Sequence, residues 1–296
     1  MSFSSEVKLE LLRMSQQQDH CCAEAELYGL LLFGYGFSAH EISLRTELKA
    51  IADFIVTQVH ILALAQTHVL QSGRKWEVTI PRPEDRHRLL ERFGHRKDEV
   101  SRRIVPENFA CDGCRNAFLR GAFLACAAVI SPQRQYHLEF SVGYKKLALA
   151  LEQVLCQAQL MPKLCQRKGM WLLYYKDSEQ IEDVLASLGA QMAMLQLVNT
   201  KIEKDINNNV NRAFNFEMAN IDRTSAAAAE QLHAIEKISK TASLTSLPEH
   251  LQEAAALRMQ HPESSLQELC ALAAAPVTRS GMNHRLKKLI ALSEAL

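Results

Sequence analysis

The stretch Ala25-Glu26-Leu27-Tyr28-Gly29 recurs in altered form 92 residues later, as Ala117-Phe118-Leu119-Arg120-Gly121. Alanine, leucine and glycine stand at the same offsets in both copies, and an internal repeat of this kind fixes the architecture of a protein. Small residues four positions apart let two helices approach backbone to backbone. We therefore predict that the two stretches are helices in mutual contact, with their interface at Ala25, Gly29, Ala117 and Gly121.

A second pair of matching strings lies further along the chain and extends the repeat. The string from Leu89 to Gly94 matches the string from Val184 to Gly189 at an offset of 95 residues. Between the matching strings, helical and alternating hydrophobic patterns follow the same order in each half: helix, strands, helix, strands, helix. The sequence thus predicts an α+β core of two α-β-β-α-β-β-α repeats that are related by a pseudo-twofold axis.

The C-terminal end carries the pattern of a helix-turn-helix at about 263–296, within an all-α region that we bound at 230–296. Leu266, Leu269 and Leu272 are predicted to face inward from the earlier helix. Residues 277–296 contain four basic residues and one acidic residue, a local charge of +3. A charged face is often only a solvated face. The turn spacing and the caps nevertheless favour DNA contact by Arg279, Ser280, Asn283, His284, Arg285, Lys287 and Lys288.

The segment between core and helix-turn-helix contains no glycine or proline for 58 residues, from Gly189 to Pro248, which favours long helices. Asparagine is a poor residue for a helix interior, so Asn207-Asn208-Asn209 predicts a break. We interpret 201–229 as a helical linker. Its asparagines and arginines form either a solvated polar surface or candidate contacts to the DNA backbone, at Asn211, Arg212 and Arg223.

Charge and cysteine content restrict the cellular setting. With a formal net charge of +1, any nucleic-acid binding depends on local patches. Neither a signal peptide nor an apolar run long enough to cross a bilayer is recognised, so we expect a cytoplasmic protein with reduced thiols and no membrane contact. The only CxxC is Cys111-x-x-Cys114, and no second CxxC or HxxxH follows. We therefore favour buried thiols over a zinc site or a redox pair, and predict no metal and no cofactor.

The repeat stretches continue into two nine-residue strings, Leu27-Tyr28-Gly29-Leu30-Leu31-Leu32-Phe33-Gly34-Tyr35 and Leu119-Arg120-Gly121-Ala122-Phe123-Leu124-Ala125-Cys126-Ala127. Both resemble degenerate copies of the LAGLIDADG motif of homing endonucleases. The resemblance implies an interface between the two helices, a saddle of strands for duplex DNA, and an acid near each helix end that holds a divalent metal. Gly34 and Cys126 occupy the two acid positions, and neither offers a hard oxygen ligand. We expect a core without nuclease activity and without catalytic residues.

Four further strings are distinctive: Pro262-Glu263-Ser264-Ser265-Leu266, Arg279-Ser280-Gly281, Cys111-Asp112-Gly113-Cys114-Arg115-Asn116-Ala117 and Tyr174-Tyr175-Lys176-Asp177-Ser178. Together they resemble the WhiA family over essentially the whole chain. The resemblance implies a LAGLIDADG-like core joined to a C-terminal helix-turn-helix, in a DNA-binding transcriptional regulator at the bacterial nucleoid. It implies links to cell division, chromosome segregation and, in spore formers, sporulation. We divide the chain into a first half at 1–108, a second half at 109–200, the linker at 201–229 and the DNA-binding domain at 230–296.

Two other functions remain open at this point. A metal-dependent endonuclease could use Glu77, Asp85 or Glu139. An interaction protein could dock on an RNA polymerase sigma factor or another transcription regulator, with DNA contact secondary. The segment Arg82–Arg103 has eight basic and five acidic residues, and it suits either DNA or an acidic protein surface. The expected partner of the favoured function is double-stranded DNA.

Overall fold

The repeat found in the sequence is visible as two copies of one element order in the computed structural model of the protein. The structure describes residues 1–16, 18–99, 101–241 and 243–296. After the opening helix α1 (Phe3–Met14), the first copy consists of α2 (His20–Leu32), β1 (Gly36–Phe37), β2 (Ile42–Thr46), α3 (Lys49–Ala63), β3 (His68–Ser72), β4 (Lys75–Thr79) and α4 (Pro83–Arg92). The second copy consists of α5 (Asp112–Cys126), β5 (Ala127–Val129), β6 (Leu138–Val142), α6 (Lys145–Gln157), β7 (Lys163–Arg167), β8 (Met170–Tyr175) and α7 (Ser178–Leu188). The predicted α+β repeat is confirmed.

Each copy contains a four-stranded antiparallel sheet. The strand orders are β1-β2-β4-β3 and β5-β6-β8-β7, so the two sheets have the same topology. Leu44 pairs with Val78 in the first sheet, and Phe140 pairs with Leu173 in the second. All four of these side chains are buried. The residues next to them along each strand point toward the other face of the sheet. One face of each sheet therefore belongs to the core and the other faces outward.

The central helices α2 and α5 pack without side chains between them at two points. A Cβ atom added at Gly29 would overlap the carbonyl oxygen of Phe118, and one added at Gly121 would overlap the carbonyl oxygen of Glu26. Ala25 and Ala117 are also buried. Because two backbones can approach this closely only where side chains are minimal, the glycines set the distance between the two copies.

A buried ion pair joins the same two helices. The Arg120 guanidinium lies 3.1 Å from Oε1 of Glu26, whose side chain is 0% exposed. Glu26 also accepts hydrogen bonds from Ser15 Oγ and Gln18 Nε2, both at 2.5 Å. Arg120 donates further to the carbonyl oxygen of Leu188, at the end of α7. Both buried charges are thus paired and hydrogen-bonded, as burial of ions requires.

The first copy uses a phenol at the position equivalent to Arg120. Tyr28 lies in α2, is 0% exposed and stacks on Phe93, with ring centroids 5.0 Å apart. Its hydroxyl donates to the carbonyl oxygen of Arg103, accepts from the backbone N–H of Val105 at 3.0 Å, and lies 2.9 Å from Nε2 of His95. In both copies the polar group at this motif position therefore ties the central helix to the segment that ends its own half.

The second compact unit, Asp205–Leu296, is all α. A single helix, α8 (Gln191–Thr241), runs through the asparagine-rich stretch, so the predicted break at Asn207-Asn208-Asn209 is wrong. The intrinsic penalty of asparagine in a helix is a fraction of a kcal/mol, about 0.5 per residue, and good helix formers on either side outweigh it. Three shorter helices follow: α9 (Glu249–Gln260), α10 (Leu266–Leu272) and α11 (Arg279–Glu294).

The core of the second unit is a small apolar cluster. Leu269 of α10 and Leu286 of α11 are both fully buried, with Leu251 of α9 and Ile235 of α8 beside them. Leu266 packs against this cluster, but Leu272 is 48% exposed. The prediction that Leu272 faces inward is wrong, because α10 ends at this residue and the last position of so short a helix turns away from the cluster. Among the described residues, none of the helices is both long and apolar enough to span a membrane.

Candidate nucleic-acid interface

The turn between α10 and α11 is defined by side-chain caps at both helix starts. Ser265 caps α10 in a reciprocal capping box with Glu268, in which each side chain bonds the backbone N–H of the other residue. Thr278 caps α11 by accepting from the N–H of Gly281 at 3.1 Å. Such caps fix where a helix begins and from which direction the chain enters it. The orientation of α11 against α10 is therefore specified locally.

The exposed side of α11 carries most of the residues that we predicted to contact DNA. Its inner side is formed by Met282, Leu286 and Leu289, each 0% exposed. Because a helix repeats every 3.6 residues, the intervening positions point outward. Arg279, Ser280, His284, Lys287 and Lys288 are exposed, and Asn283 is half-buried.

Arg285 has a different environment from its neighbours on α11. Its guanidinium lies 3.0 Å from Oε2 of Glu253 on α9, and the side chains are 21% and 26% exposed. The other oxygen of Glu253 accepts from the backbone N–H of Ala274 in the turn, at 2.8 Å. Arg285 and Glu253 thus connect α9, the turn and α11, and the guanidinium is already occupied by a partner within the protein.

Sequence reasoning missed Arg258, a second arginine that stabilises the domain. This α9 side chain is 1% exposed, and its Nε donates to Oε1 of Gln231 on α8 at 2.9 Å. Its Nη1 donates to the carbonyl oxygens of His261, Pro262 and Ser264, the last at 2.6 Å. Burial lowers the pKa of this guanidinium from its usual value. A single side chain thereby holds the connection between α9 and α10.

Two further groups of predicted contact residues differ in exposure. Asn211, Arg212 and Arg223 are all exposed on α8. In the segment 82–103, by contrast, most basic side chains bond within the protein. Arg88 pairs with Asp85, and Arg102 donates to the carbonyl oxygens of Leu32, Gly34 and Tyr35. The same holds for Arg86, Arg92, Arg96, Lys97 and Arg103. The net charge of this segment is therefore a poor guide to a free basic surface.

The ends of α2 and α5, where the homing-endonuclease resemblance places metal ligands, contain an open cavity of about 530 Å³. Gly34 and Cys126 both line it, together with Arg45 and Tyr144. The described lining residues include no aspartate or glutamate. Burial raises the pKa of the Cys126 thiol to about 12. A thiol sulfur is a soft donor and does not suit a hard cation such as Mg²⁺. Nothing in this lining can hold Mg²⁺ through carboxylate oxygens.

The three acids considered for an alternative nuclease site each have a partner of their own. Glu77 on β4 pairs with Arg45 at 2.8 Å, and Glu139 on β6 pairs with His137 at 2.9 Å. Asp85 is buried at the start of α4 and accepts from the backbone N–H of Gln66. Within the described ranges, these acids form no group of three or more potential metal ligands.

One such group exists elsewhere in the described part of the chain, and it consists of cysteines. The Sγ atoms of Cys21, Cys22, Cys111 and Cys114 all lie within 4.8 Å of one another. Hydrogen bonds from Cys114, Cys21 and Cys22 lower the pKa of the Cys111 thiol to about 7. No second CxxC or HxxxH follows Cys111 and Cys114 in the sequence, but the fold brings the adjacent pair Cys21 and Cys22 from α2 to them.

Comparison with known proteins assigns both units to one family. The family model described as the WhiA LAGLIDADG-like domain matches residues 115–207, and the WhiA C-terminal HTH domain matches residues 210–293. The relatives named "Probable cell division protein WhiA" include those of Clostridium novyi, 35% identical, and Caldicellulosiruptor saccharolyticus, 32% identical. Both alignments cover 100% of this chain, and they cover 98% and 96% of the relatives.

Solved structures show the same fold. The crystal structure of full-length WhiA from Thermotoga maritima matches with a TM-score of 0.60 at 24% identity, over 100% of this chain and 99% of the other. A crystal structure of the N-terminal LAGLIDADG domain of WhiA matches with a TM-score of 0.50 at 20% identity, over 64% of this chain and 91% of the other.

Proposed function

The chain belongs to the WhiA family, and from that premise we propose that it is a sequence-specific, non-enzymatic DNA-binding regulator of transcription. Its partner is double-stranded DNA in the cytoplasm, at the bacterial nucleoid. The genes that it regulates are those of cell division, of chromosome segregation and, where the organism forms spores, of sporulation. The single observation that carries the proposal is the outward face of α11, which is basic, polar and separated from the apolar side by helical periodicity.

The contact that each side chain of α11 makes with DNA is assigned from its position along the helix. In a helix-turn-helix, the N-terminal residues of the second helix meet base edges in the major groove. We assign that role to Arg279, Ser280, Asn283 and His284, since arginine suits guanine and asparagine suits adenine. Lys287 and Lys288 lie further along the helix and contact phosphates. Arg285 supports the helix instead, because Glu253 already neutralises its charge.

The segment before the helix-turn-helix adds contacts that carry no sequence information. Asn211, Arg212 and Arg223 are exposed on α8, and side chains of both types donate hydrogen bonds to phosphate oxygens. In this proposal they raise affinity for all sequences equally. Their loss would leave the preference for a specific site unchanged.

The LAGLIDADG-like core acts here as a binding scaffold. Support for the absence of nuclease activity comes from Gly34 and Cys126 at the two metal-ligand positions, in a lining without carboxylates among its described residues. A purified chain incubated with supercoiled DNA and Mg²⁺ or Mn²⁺ is expected to leave the DNA intact. Nicking that EDTA abolishes, by homogeneous protein, would contradict this part of the proposal.

The test of sequence-specific binding uses substitutions on a single helix. Genomic fragments selected by the full-length protein give a specific site, and fluorescence anisotropy then compares that site with random DNA. Asn283→Ala is expected to weaken specific binding by about 1–3 kcal/mol, roughly 5- to 150-fold, and random binding much less. Lys287→Ala is expected to weaken both to the same degree.

Two controls separate DNA contact from folding and from charge. Lys240→Ala removes the same charge from an exposed position in the same unit, where the lysine lies 3.7 Å from Glu236, and it is expected to leave binding unchanged. Arg285→Ala is expected to lower the melting temperature, since it leaves the Glu253 carboxylate without its arginine partner. Its effect on the preference for the specific site is expected to be small. If no fragment is enriched, and a transcription protein is captured in a nuclease-resistant manner, the chain is an interaction protein instead.

A further inference from the structure

Four cysteine sulfurs converge where the two central helices begin. Cys21 and Cys22 lie in the first turn of α2, and Cys111 and Cys114 flank the start of α5. The Sγ atoms of Cys21 and Cys22 each lie 3.6 Å from that of Cys111, and the Sγ atoms of Cys22 and Cys114 lie 4.0 Å apart. Cys111 and Cys114 are separated by 3.4 Å. One pair comes from each copy of the repeat.

These separations match the edges of a tetrahedron around one metal ion. Zinc binds thiolate sulfur at about 2.3 Å, which places the four sulfurs of a tetrahedral site about 3.8 Å apart. The four separations given above span 3.4–4.0 Å, and all six pairs lie within 4.8 Å. A disulfide would need a separation of about 2.05 Å, so the sulfurs are not arranged as two bonded pairs.

The local backbone is built around the sulfurs. Cys111 is the N-cap of α5, and its carbonyl oxygen accepts from the N–H of Cys114 at 3.1 Å. A Cβ atom added at Gly113, between them, would lie 3.1 Å from Sγ of Cys22. That distance is tighter than an ordinary van der Waals contact, so the glycine keeps space free for the neighbouring sulfur. The CxxC turn therefore fits the cysteine pair that faces it.

Helix polarity and exposure suit a thiolate site. The first turns of α2 and α5 present partial positive charge, which stabilises anions at both ends of the cluster. Cys22 and Cys114 are 8% and 0% exposed, so they would shield an ion, whereas Cys111 is exposed and leaves a path for its entry. Soft sulfur donors in a tetrahedral set select Zn²⁺ over hard cations such as Mg²⁺.

We propose that Cys21, Cys22, Cys111 and Cys114 bind one Zn²⁺ ion in a structural tetrathiolate site. Binding replaces four S–H protons by four Zn–S bonds, releases the protons to solvent, and involves no change in oxidation state. The ion cross-links the two copies of the repeat at one end of their helix pair. Its contribution is to the stability of the core, and it is independent of how α11 contacts DNA.

The first experiment measures metal content in the full-length protein, purified with a reductant and without a polyhistidine tag. Elemental analysis is expected to give about one zinc per chain. Removal of zinc with a chelator followed by titration with Co²⁺ is expected to give the intense visible bands and the thiolate charge-transfer band of tetrahedral sulfur coordination. Iron in place of zinc, or a metal-free chain that does not bind added Zn²⁺, would overturn the proposal.

Variants then assign the metal to the cluster. Cys111→Ser changes an exposed ligand, so the chain is expected to fold, and its affinity for Zn²⁺ is expected to fall at least about tenfold. Cys165→Ser is the matched control, because Cys165 is an exposed cysteine on β7 outside the cluster. Zinc removal should lower the melting temperature of the wild type and of Cys165→Ser, and zinc addition should restore it. Equal zinc content in Cys111→Ser and wild type would place the metal elsewhere and refute the assignment.

Discussion

At the scale of single residues, the buried pair of Glu26 and Arg120 shows that the acid of the first repeat helix is already bound by partners within the protein. Four hydrogen-bond or ion-pair contacts, from Ser15, Gln18 and both Nε and Nη2 of Arg120, saturate the carboxylate. A carboxylate with so many fixed partners cannot reorganise around a hydrated metal ion. The residue is separated from Arg120 by 94 positions in the sequence, so no local pattern could have indicated the pair.

Arg120→Ala is expected to be severely destabilising. Removing one member of a buried ion pair leaves an uncompensated charge, which typically costs about 3–5 kcal/mol. The free energy of unfolding, measured with urea, should fall by that amount. The double variant Glu26→Leu with Arg120→Met removes both charges and should recover much of the loss. A double variant as unstable as the single one would show that packing, and not the charge, dominates at this position.

At the scale of elements, the two glycines of the α2–α5 interface fix the distance between the copies. Gly29→Ala and Gly121→Ala each place a methyl group where a backbone carbonyl already lies, and overpacking of this kind typically costs about 1–3 kcal/mol. We expect the full-length protein to lose at least that much stability in each variant, even though alanine itself favours helix by about 1 kcal/mol.

Gly143→Ala is the control for this interface. A Cβ atom at Gly143 would meet nothing within 4 Å, so its effect on the free energy of unfolding should stay within about 0.5 kcal/mol. The comparison holds the chemical change constant and varies only the surroundings. Equal stability of Gly29→Ala and Gly143→Ala would mean that the central helices can separate without cost, contrary to the packing described.

The elements also show how far the sequence alone could predict this protein. Hydrophobic periodicity, together with glycines and prolines at element ends, predicted both copies of the repeat, because these patterns depend only on residues close in sequence. The continuous helix α8 was missed because the propensity of three asparagines is weak against a long helical context. The short strands β1 and β5 have two and three residues, too few for a pattern to register.

Contacts between distant parts of the chain were beyond the reach of sequence patterns. The pairing of Cys21 and Cys22 with Cys111 and Cys114 depends on two helix starts that lie about 90 residues apart in the sequence. The ion pair of Arg285 with Glu253 is a second such contact, between α11 and α9. The position of Arg285 on a polar helix face had indicated DNA contact. Residue type and spacing predict a face, but only the fold determines which members of that face are free.

At the scale of the whole molecule, the distribution of charge determines where the proposed DNA binding can take place. The formal net charge is +1, so no general attraction to a polyanion exists and affinity depends on where free basic groups are concentrated. Two surfaces are candidates: the outward face of α11, and the outward face of the second sheet, where Lys163 and Arg167 on β7 are exposed. Each phosphate contact releases condensed counterions, which makes the number of contacts measurable.

The dependence of DNA affinity on salt concentration therefore tests which surface of the intact protein binds phosphates. We expect Lys287→Ala and Lys288→Ala each to reduce the slope of log K against log salt by about 1, and Lys163→Ala to reduce it less. Lys49→Ala removes the same charge from α3, where the lysine lies 3.5 Å from Asp53, and should leave the slope unchanged. Should Lys163→Ala lower the slope while Lys287→Ala does not, the saddle of strands would be the DNA surface and α11 would have another partner. Because the slope counts contacts and is insensitive to small losses of stability, this result would hold even for variants that fold less well.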